Sequence, residues 1–153
     1  MKLISEIVIN KPASQIWDFI NNPAYFALWQ KGYESTVQIS GSPGVEGSTA
    51  QHVYIENGKK FTFTEEVLKT EPPESISVVL DHPVMSYAIT TTLTPHQDIT
   101  NVKMSNQVTL KAFSFKVLAP FLKKTFLKRQ DEDLSRLKTV LESRKPDSDD
   151  DPV

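Results

Sequence analysis

His52 and Glu65 are the two residues in this chain whose types and spacing could do chemistry together. They flank Asn57-Gly58, the dipeptide that most strongly signals a two-residue type I′ hairpin turn. With that turn, Glu56 faces Lys59, Tyr54 faces Phe61, His52 faces Phe63 and Ala50 faces Glu65. Alternation then puts Ala50, His52, Tyr54, Phe61, Phe63, Glu65 and Val67 on one face of the hairpin. The other face carries Gln51, Val53, Ile55, Lys60, Thr62, Thr64, Glu66 and Leu68. The first set is the more aromatic and is assigned to the interior, although Val53 and Ile55 argue the other way. His52 and Glu65 become diagonal neighbours within roughly 7 Å. A carboxyl group in an apolar cavity holds its proton more tightly, and an adjacent imidazole can share it, which is the arrangement of a general acid/base pair. The plainer readings are a solvated cross-strand pair, or two groups that only orient the polar end of a ligand.

Other chemistries find less support. His82 and His96 fall in proline-containing turns, where solvent exposure is expected. No two histidines have metal-ligand spacing and there is no His-Glu-x-x-His, so no metal is expected. The hydrolase elbow Gly-x-Ser-x-Gly is missing. Gly41, Gly44 and Gly47 fit neither the dinucleotide nor the P-loop pattern, and read as a strand connection at a cavity mouth; no cofactor is expected. The chain has no cysteine, which excludes disulfides, thiol nucleophiles and Cys-ligated zinc and is compatible with a reducing compartment. Seventeen Lys+Arg against nineteen Asp+Glu give a formal charge of −2, with no basic excess to hold a nucleic-acid backbone.

The elements that must position these groups follow from periodicity. The 153 residues suffice for one domain. Lys2 to Ile9 reads as a strand, Ala13 to Ile20 as a helix after Pro12, and Ala24 to Trp29 as a second short helix. Strands follow at 33–40, 48–56, 59–69, 75–81, 85–94 and 100–110, rich in Val, Ile, Thr and Phe. Lys116 to Glu142 reads as one long helix with Leu118, Leu122, Phe126, Leu134, Leu137 and Leu141 as its stripe; Pro120 requires the helix to begin within about one turn before it. This order is α+β: a curled seven-stranded antiparallel sheet with two short helices and a long C-terminal helix. A helix of about 25 residues, some 37 Å long, laid across the concave side leaves a space beneath it.

Alternation nominates further residues for that space. Met85, Tyr87 and Ile89 share a face, as do Met104, Asn106 and Val108; ordinary core packing is the competing explanation. Met and aromatic side chains adapt to varied apolar ligands. Trp29 either reaches the mouth or packs, Trp17 reads as core, and Phe126 joins the candidate ligand-binding residues from the helix.

Lys111, Lys116, Lys123, Lys124, Lys128 and Arg129 form a basic run interleaved with Phe113, Phe115, Phe121 and Phe126, uninterrupted by acid before Asp131. It reads as a solvated face whose lysine stems cover apolar surface, or, less favoured, as a membrane-surface contact. Residues 144–153, RKPDSDDDPV, are too polar to bury surface and are expected to form a disordered acidic tail after a domain of residues 1–143. No signal-peptide pattern and no apolar run near ~20 residues occur, so a cytoplasmic protein is expected.

Four landmarks, taken in order, resemble the START/Bet v 1-like (SRPBCC) superfamily with its helix-grip fold, and most closely its polyketide cyclase/dehydrase-like group. They are Ile9-Asn-Lys-Pro-Ala-Ser-Gln-Ile-Trp-Asp18, Trp29, Phe63-Thr-Glu-Glu-Val-Leu-Lys-Thr-Glu-Pro-Pro73 and Leu134-Ser-Arg-Leu-Lys-Thr-Val-Leu-Glu142. The Arg-Pro-Gly-Gly-type turn of the Hsp90-activator branch is replaced here by Ser42-Pro-Gly-Val-Glu-Gly47. The resemblance implies a cavity for a small apolar or amphipathic molecule. It implies no single chemistry, because the superfamily mixes carriers, lipid binders, sensors and a minority of cyclases. Three functions stay open. The first is binding or carriage of a hydrophobic molecule, with His52, Tyr54, Glu65, Tyr87 and Asn106 orienting it. The second is a cyclase or dehydratase using Glu65 and His52. The third is a membrane-peripheral lipid carrier. A monomer or a homodimer fits each.

Overall fold

From the third strand onward each strand turns back on its predecessor, so the chain lays down a meander. The strands are β1 (Lys2–Ile9), β2 (Tyr33–Ser40), β3 (Thr49–Glu56), β4 (Lys59–Glu71), β5 (Ser75–His82), β6 (Met85–His96) and β7 (Ile99–Leu110). All pairings are antiparallel, and β1 returns to pair with β7, giving the order β1-β7-β6-β5-β4-β3-β2 in a sheet that stays open at β1 and β2. The helices are α1 (Ala13–Ile20), α2 (Phe26–Trp29) after a 3₁₀ turn at Pro23–Tyr25, α3 (Phe113–Val117) and α4 (Ala119–Ser143). The computed structural model describes residues 1–145. The expected α+β helix-grip architecture is present.

The Asn57-Gly58 turn forms as expected. Both residues have positive φ, 50° and 76°, which a type I′ turn requires. The register is the one read from the sequence, with His52 opposite Phe63 and Ala50 opposite Glu65. On β4 a bulge between Val67 and Lys69 interrupts the pairing with β5 at Leu68, which is left half exposed.

Two expectations need correction. The long helix is two helices. Pro120 lacks an N–H and fits only the first turn, so Leu118 takes φ −90° and ψ 2°, α3 ends and α4 restarts at Ala119. Leu118, placed on the buried stripe by spacing, is instead exposed at this joint. His82 is not simply solvated. It is half buried, its ring lies 5.6 Å from Phe61 and 5.3 Å from Phe63, and its Nδ1 accepts the Val84 N–H. His96 is exposed as expected.

Buried apolar side chains gather into two clusters. One joins Ile16 and Phe19 of α1, Trp29 of α2, Ile9, Leu93 and Val102 of the sheet, and Leu134, Leu137 and Leu141 of α4. The other holds Leu3, Phe63, Met85, Val108 and Leu110, with Phe115, Leu122 and Phe126 packed against them. Full burial of one such leucine or phenylalanine contributes about 1.5–3 kcal/mol. Arg144, assigned by composition to the tail, lays its guanidinium 5.3 Å from the Phe19 ring and 5.0 Å from the Tyr25 ring. The rest of the expected tail, 146–153, lies outside the described residues.

Candidate functional site

Between the two clusters the interior is hollow. Two adjoining compartments, of about 120 and 200 Å³, share Trp29, Gln30, Tyr54, Leu80, Ile89 and Met104 in their walls. Together, at roughly 300 Å³, they sit at the low end of small-molecule sites.

The smaller compartment is bounded by His52, Glu65 and Val67 of the hairpin, Phe26 of α2, and Leu134 and Leu137 of α4, with Pro43 and Gly44 of the glycine-containing loop at its rim. The larger one has Phe61, Phe63, Met85, Tyr87 and Asn106 on the sheet side and Phe126, Arg129, Gln130 and Asp133 on α4. All twelve residues singled out from the sequence therefore line the hollow: Trp29, His52, Tyr54, Phe61, Phe63, Glu65, Met85, Tyr87, Ile89, Met104, Asn106 and Phe126.

His52 is held from behind. Its Nδ1 is 2.7 Å from Thr36 Oγ1, which in turn is 2.7 Å from the Tyr33 hydroxyl. Its Nε2 points inward, 3.3 Å from Glu65 Oε2 but out of line for a hydrogen bond. The imidazole is buried, whereas the Glu65 side chain is one-fifth exposed, so the pair bridges interior and rim. Among the described residues, three buried side-chain atoms have no hydrogen-bond partner: His52 Nε2, Trp29 Nε1 and Asn106 Oδ1. All three belong to residues of the cavity wall. An unpaired buried polar atom costs about 1–3 kcal/mol, and a ligand that supplies the missing partner recovers it. The indole N–H can only donate, the amide oxygen can only accept, and the imidazole does either according to its tautomer.

Tyr54 donates to Gln30 Oε1. Burial, reinforced by the Glu65 charge and opposed by Arg129, pushes its phenol well above the usual tyrosine range. Burial pushes Tyr87 up to about 12, again against Arg129. Both phenols remain neutral donors. Asp133 is raised mainly by burial, against the Lys31 N–H, Arg129 and Arg136 that hold its charged form.

The polar residues of α4 are not among the lining groups that alternation nominates. Gln130 occupies the stripe position between Phe126 and Leu134, and a polar residue there is the signal that could have found it. It is buried, and its Nε2 donates to Ser5 Oγ at 3.0 Å and to the Met104 carbonyl at 3.3 Å, while Asn106 Nδ2 donates to its Oε1 at 3.5 Å. Arg129 lines the larger compartment from α4. It pairs with Glu56 at the hairpin end, donates to the Lys31 carbonyl at 2.7 Å, and lies 5.9 Å from the Tyr54 ring centre.

A hollow walled by a curled sheet, two short helices and a terminal helix is the architecture of a helix-grip domain. The chain belongs to the family described as polyketide cyclase / dehydrase and lipid transport, whose model matches residues 2–142. No curated protein matches it. Among solved structures, the protein TTHA0849 of Thermus thermophilus superposes with a TM-score of 0.76 at 17% identity, over 94% of this chain and 99% of that one. Norcoclaurine synthase from Thalictrum flavum, solved with dopamine and hydroxybenzaldehyde, gives 0.65 at 18% identity over 95% and 89%. The di-domain ARO/CYC protein BexL of the BE-7585A biosynthetic pathway gives 0.74 at 14% identity, over 93% of this chain and 46% of that one. At these identities the likeness is one of fold. Among the described residues no helix is long and apolar enough to cross a membrane.

Proposed function

We propose that the protein binds a small, largely apolar molecule between sheet and α4, with a polar group at one end or both. The observation that carries this reading is the hollow itself, mostly apolar in its walls, with three buried polar atoms of wall residues left unpaired. A dry cavity of ~150 Å³ accepts a benzene ring, so roughly twice that volume suits a compound of about two linked rings. Apolar burial, at ~25 cal/mol per Å², supplies affinity, and Trp29, His52 and Asn106 supply orientation. Native mass spectrometry of protein isolated from its own source tests the proposal: a bound small molecule is expected at one per chain. Its loss from Met104→Trp, which fills the wall common to both compartments, would place it in the hollow. Wild-type protein with no adduct, and no one-to-one uptake of an apolar fluorescent probe, would overturn it.

The His52–Glu65 approach favours a second reading, in which the bound molecule also undergoes acid/base chemistry of the cyclase or dehydratase kind. On that reading Glu65→Gln abolishes conversion of the recovered ligand while its affinity is kept. Unchanged conversion would reduce Glu65 to an orienting group.

A further inference from the structure

The α3–α4 corner exposes more apolar surface than a solvated helix end requires. Phe113 is 80% exposed, Phe121 74%, Val117 63% and Leu118 47%. Phe113 and Val117 stand one turn apart on the outward side of α3, while Phe115 on the same helix packs inward. Leu122 and Phe126 likewise turn inward from α4. The outward side chains are thus not displaced core residues, because the core positions at this corner are already filled.

Charge surrounds the same patch. From Ile99 to Gln130 the chain has seven Lys or Arg residues and no Asp or Glu. Lys111 is paired with Asp81, Lys128 reaches Glu132 at 3.9 Å and Arg129 pairs with Glu56. Lys116, Lys123 and Lys124 have no carboxylate within 4.0 Å among the described residues and are exposed. Two of them lie early in α4, where positive charge opposes the helix dipole, and neither α3 nor α4 has a side-chain N-cap to offset it. This charge works against the helix in water. It is productive against a negatively charged surface.

We infer that the α3–α4 corner docks on an anionic lipid bilayer, with Phe113, Val117, Leu118 and Phe121 entering the interface and Lys116, Lys123 and Lys124 resting on the headgroups. Exposed aromatic and aliphatic side chains ringed by lysine are the composition of an interfacial helix. A protein partner with an acidic rim would meet the same charges, but the four apolar side chains spread over two helices and their joint rather than along one helix face. The inward face of this corner, through Phe126, is also wall of the larger compartment, so docking would set the hollow's helix side against the membrane. The docking itself stands whether or not the cavity binds a ligand.

Flotation of the full chain with vesicles tests it. Binding is expected to phosphatidylcholine vesicles containing about 30% phosphatidylserine and not to phosphatidylcholine alone, with release at about 0.5 M salt, where screening shortens to a few ångströms. Lys123→Gln with Lys124→Gln is expected to weaken partitioning about 25-fold, at roughly fivefold per lysine. Phe113→Ser with Phe121→Ser changes only exposed positions and is expected to abolish flotation with the melting temperature unchanged. Three results would each overturn the inference: no flotation on anionic vesicles at low salt, equal flotation on neutral ones, or full flotation by both double variants. A concentration-dependent dimer that the phenylalanine variant dissociates would also overturn it, assigning the patch to a second copy. Uptake of an apolar probe without vesicles reports on the cavity separately, so either proposal can fail alone.

Discussion

Replacing Arg129 with alanine tests whether the mouth of the larger compartment is strapped shut. Three interactions disappear together. The ion pair with Glu56 joins two side chains that are each about a third exposed, 28% and 34%, so solvent screening limits it to ~1 kcal/mol or less. The bond to the Lys31 carbonyl, 2.7 Å, adds about 1 kcal/mol, less than the usual contribution of a charged donor because it is exposed. The approach to the Tyr54 ring at 5.9 Å adds ~0.5–1 kcal/mol. Arg129→Ala should therefore destabilise the protein by about 1.5–3 kcal/mol, read from the urea midpoint at constant m-value. Arg129→Lys keeps the charge but not the planar fork, and should lose about half as much. The kinetic expectation is more diagnostic. If Arg129 bridges the hairpin end to the 30–32 loop across the entrance, a fluorescent apolar probe should leave Arg129→Ala faster than wild type, while Arg129→Lys stays near wild type. A stability loss under ~0.5 kcal/mol together with an unchanged off-rate would refute the reasoning, because the distances leave no other role of that size for the residue.

Three further outcomes are expected. Leu137→Ala empties a fully buried site where α4 meets the sheet, and should cost about 2–5 kcal/mol in denaturant titrations, the place within that range being set by how far the site collapses toward the hollow beside it. Gly41→Ala places a Cβ 2.1 Å from Ser48 Oγ at φ +69°, and should cost more than ~1 kcal/mol in thermal melts. Asp133 has its folded carboxyl raised above 3.8 by burial, so the folded state binds its proton more tightly than the unfolded chain does. Its contribution is fully favourable below that value and is lost as pH rises through the folded pKa; Asp133→Asn should flatten this part of the stability profile, measured by urea midpoints from pH 4 upward.

Local signals carry most of the architecture and a good part of the site. Asn57-Gly58 fixes a turn by backbone conformation alone, and once the turn is set a period of two decides which way His52, Tyr54, Phe63 and Glu65 point. The break at Leu118 is harder to see. Leucine spacing runs through it, and only the missing N–H of Pro120 marks where the first helix must stop. The turn at His82 suggests solvent, while the rings that cover it, Phe61 and Phe63, come from the neighbouring strand β4. Gln130 and Asp133 are inconspicuous because a polar residue on a helix is ordinarily solvated; their burial depends on how α4 crosses the sheet, which periodicity does not encode. The unpaired state of Trp29 Nε1 and Asn106 Oδ1 is likewise a property of tertiary packing, invisible until every neighbour is in place.

The sheet's two edge strands, β1 and β2, never meet. In a closed barrel, strand number and stagger dictate the bore. Here α4 is tied to the end of α2 by its side chains instead: Arg136 donates to the Trp29 carbonyl at 3.0 Å and Asp133 accepts the Lys31 N–H at 3.1 Å. Trp29 and Asp133 also line the larger compartment, so these bonds set the approach of α4 to α2 without entering any inter-strand ladder. In such a scaffold the size of the hollow can change through a few substitutions along one seam, without altering how the chain folds.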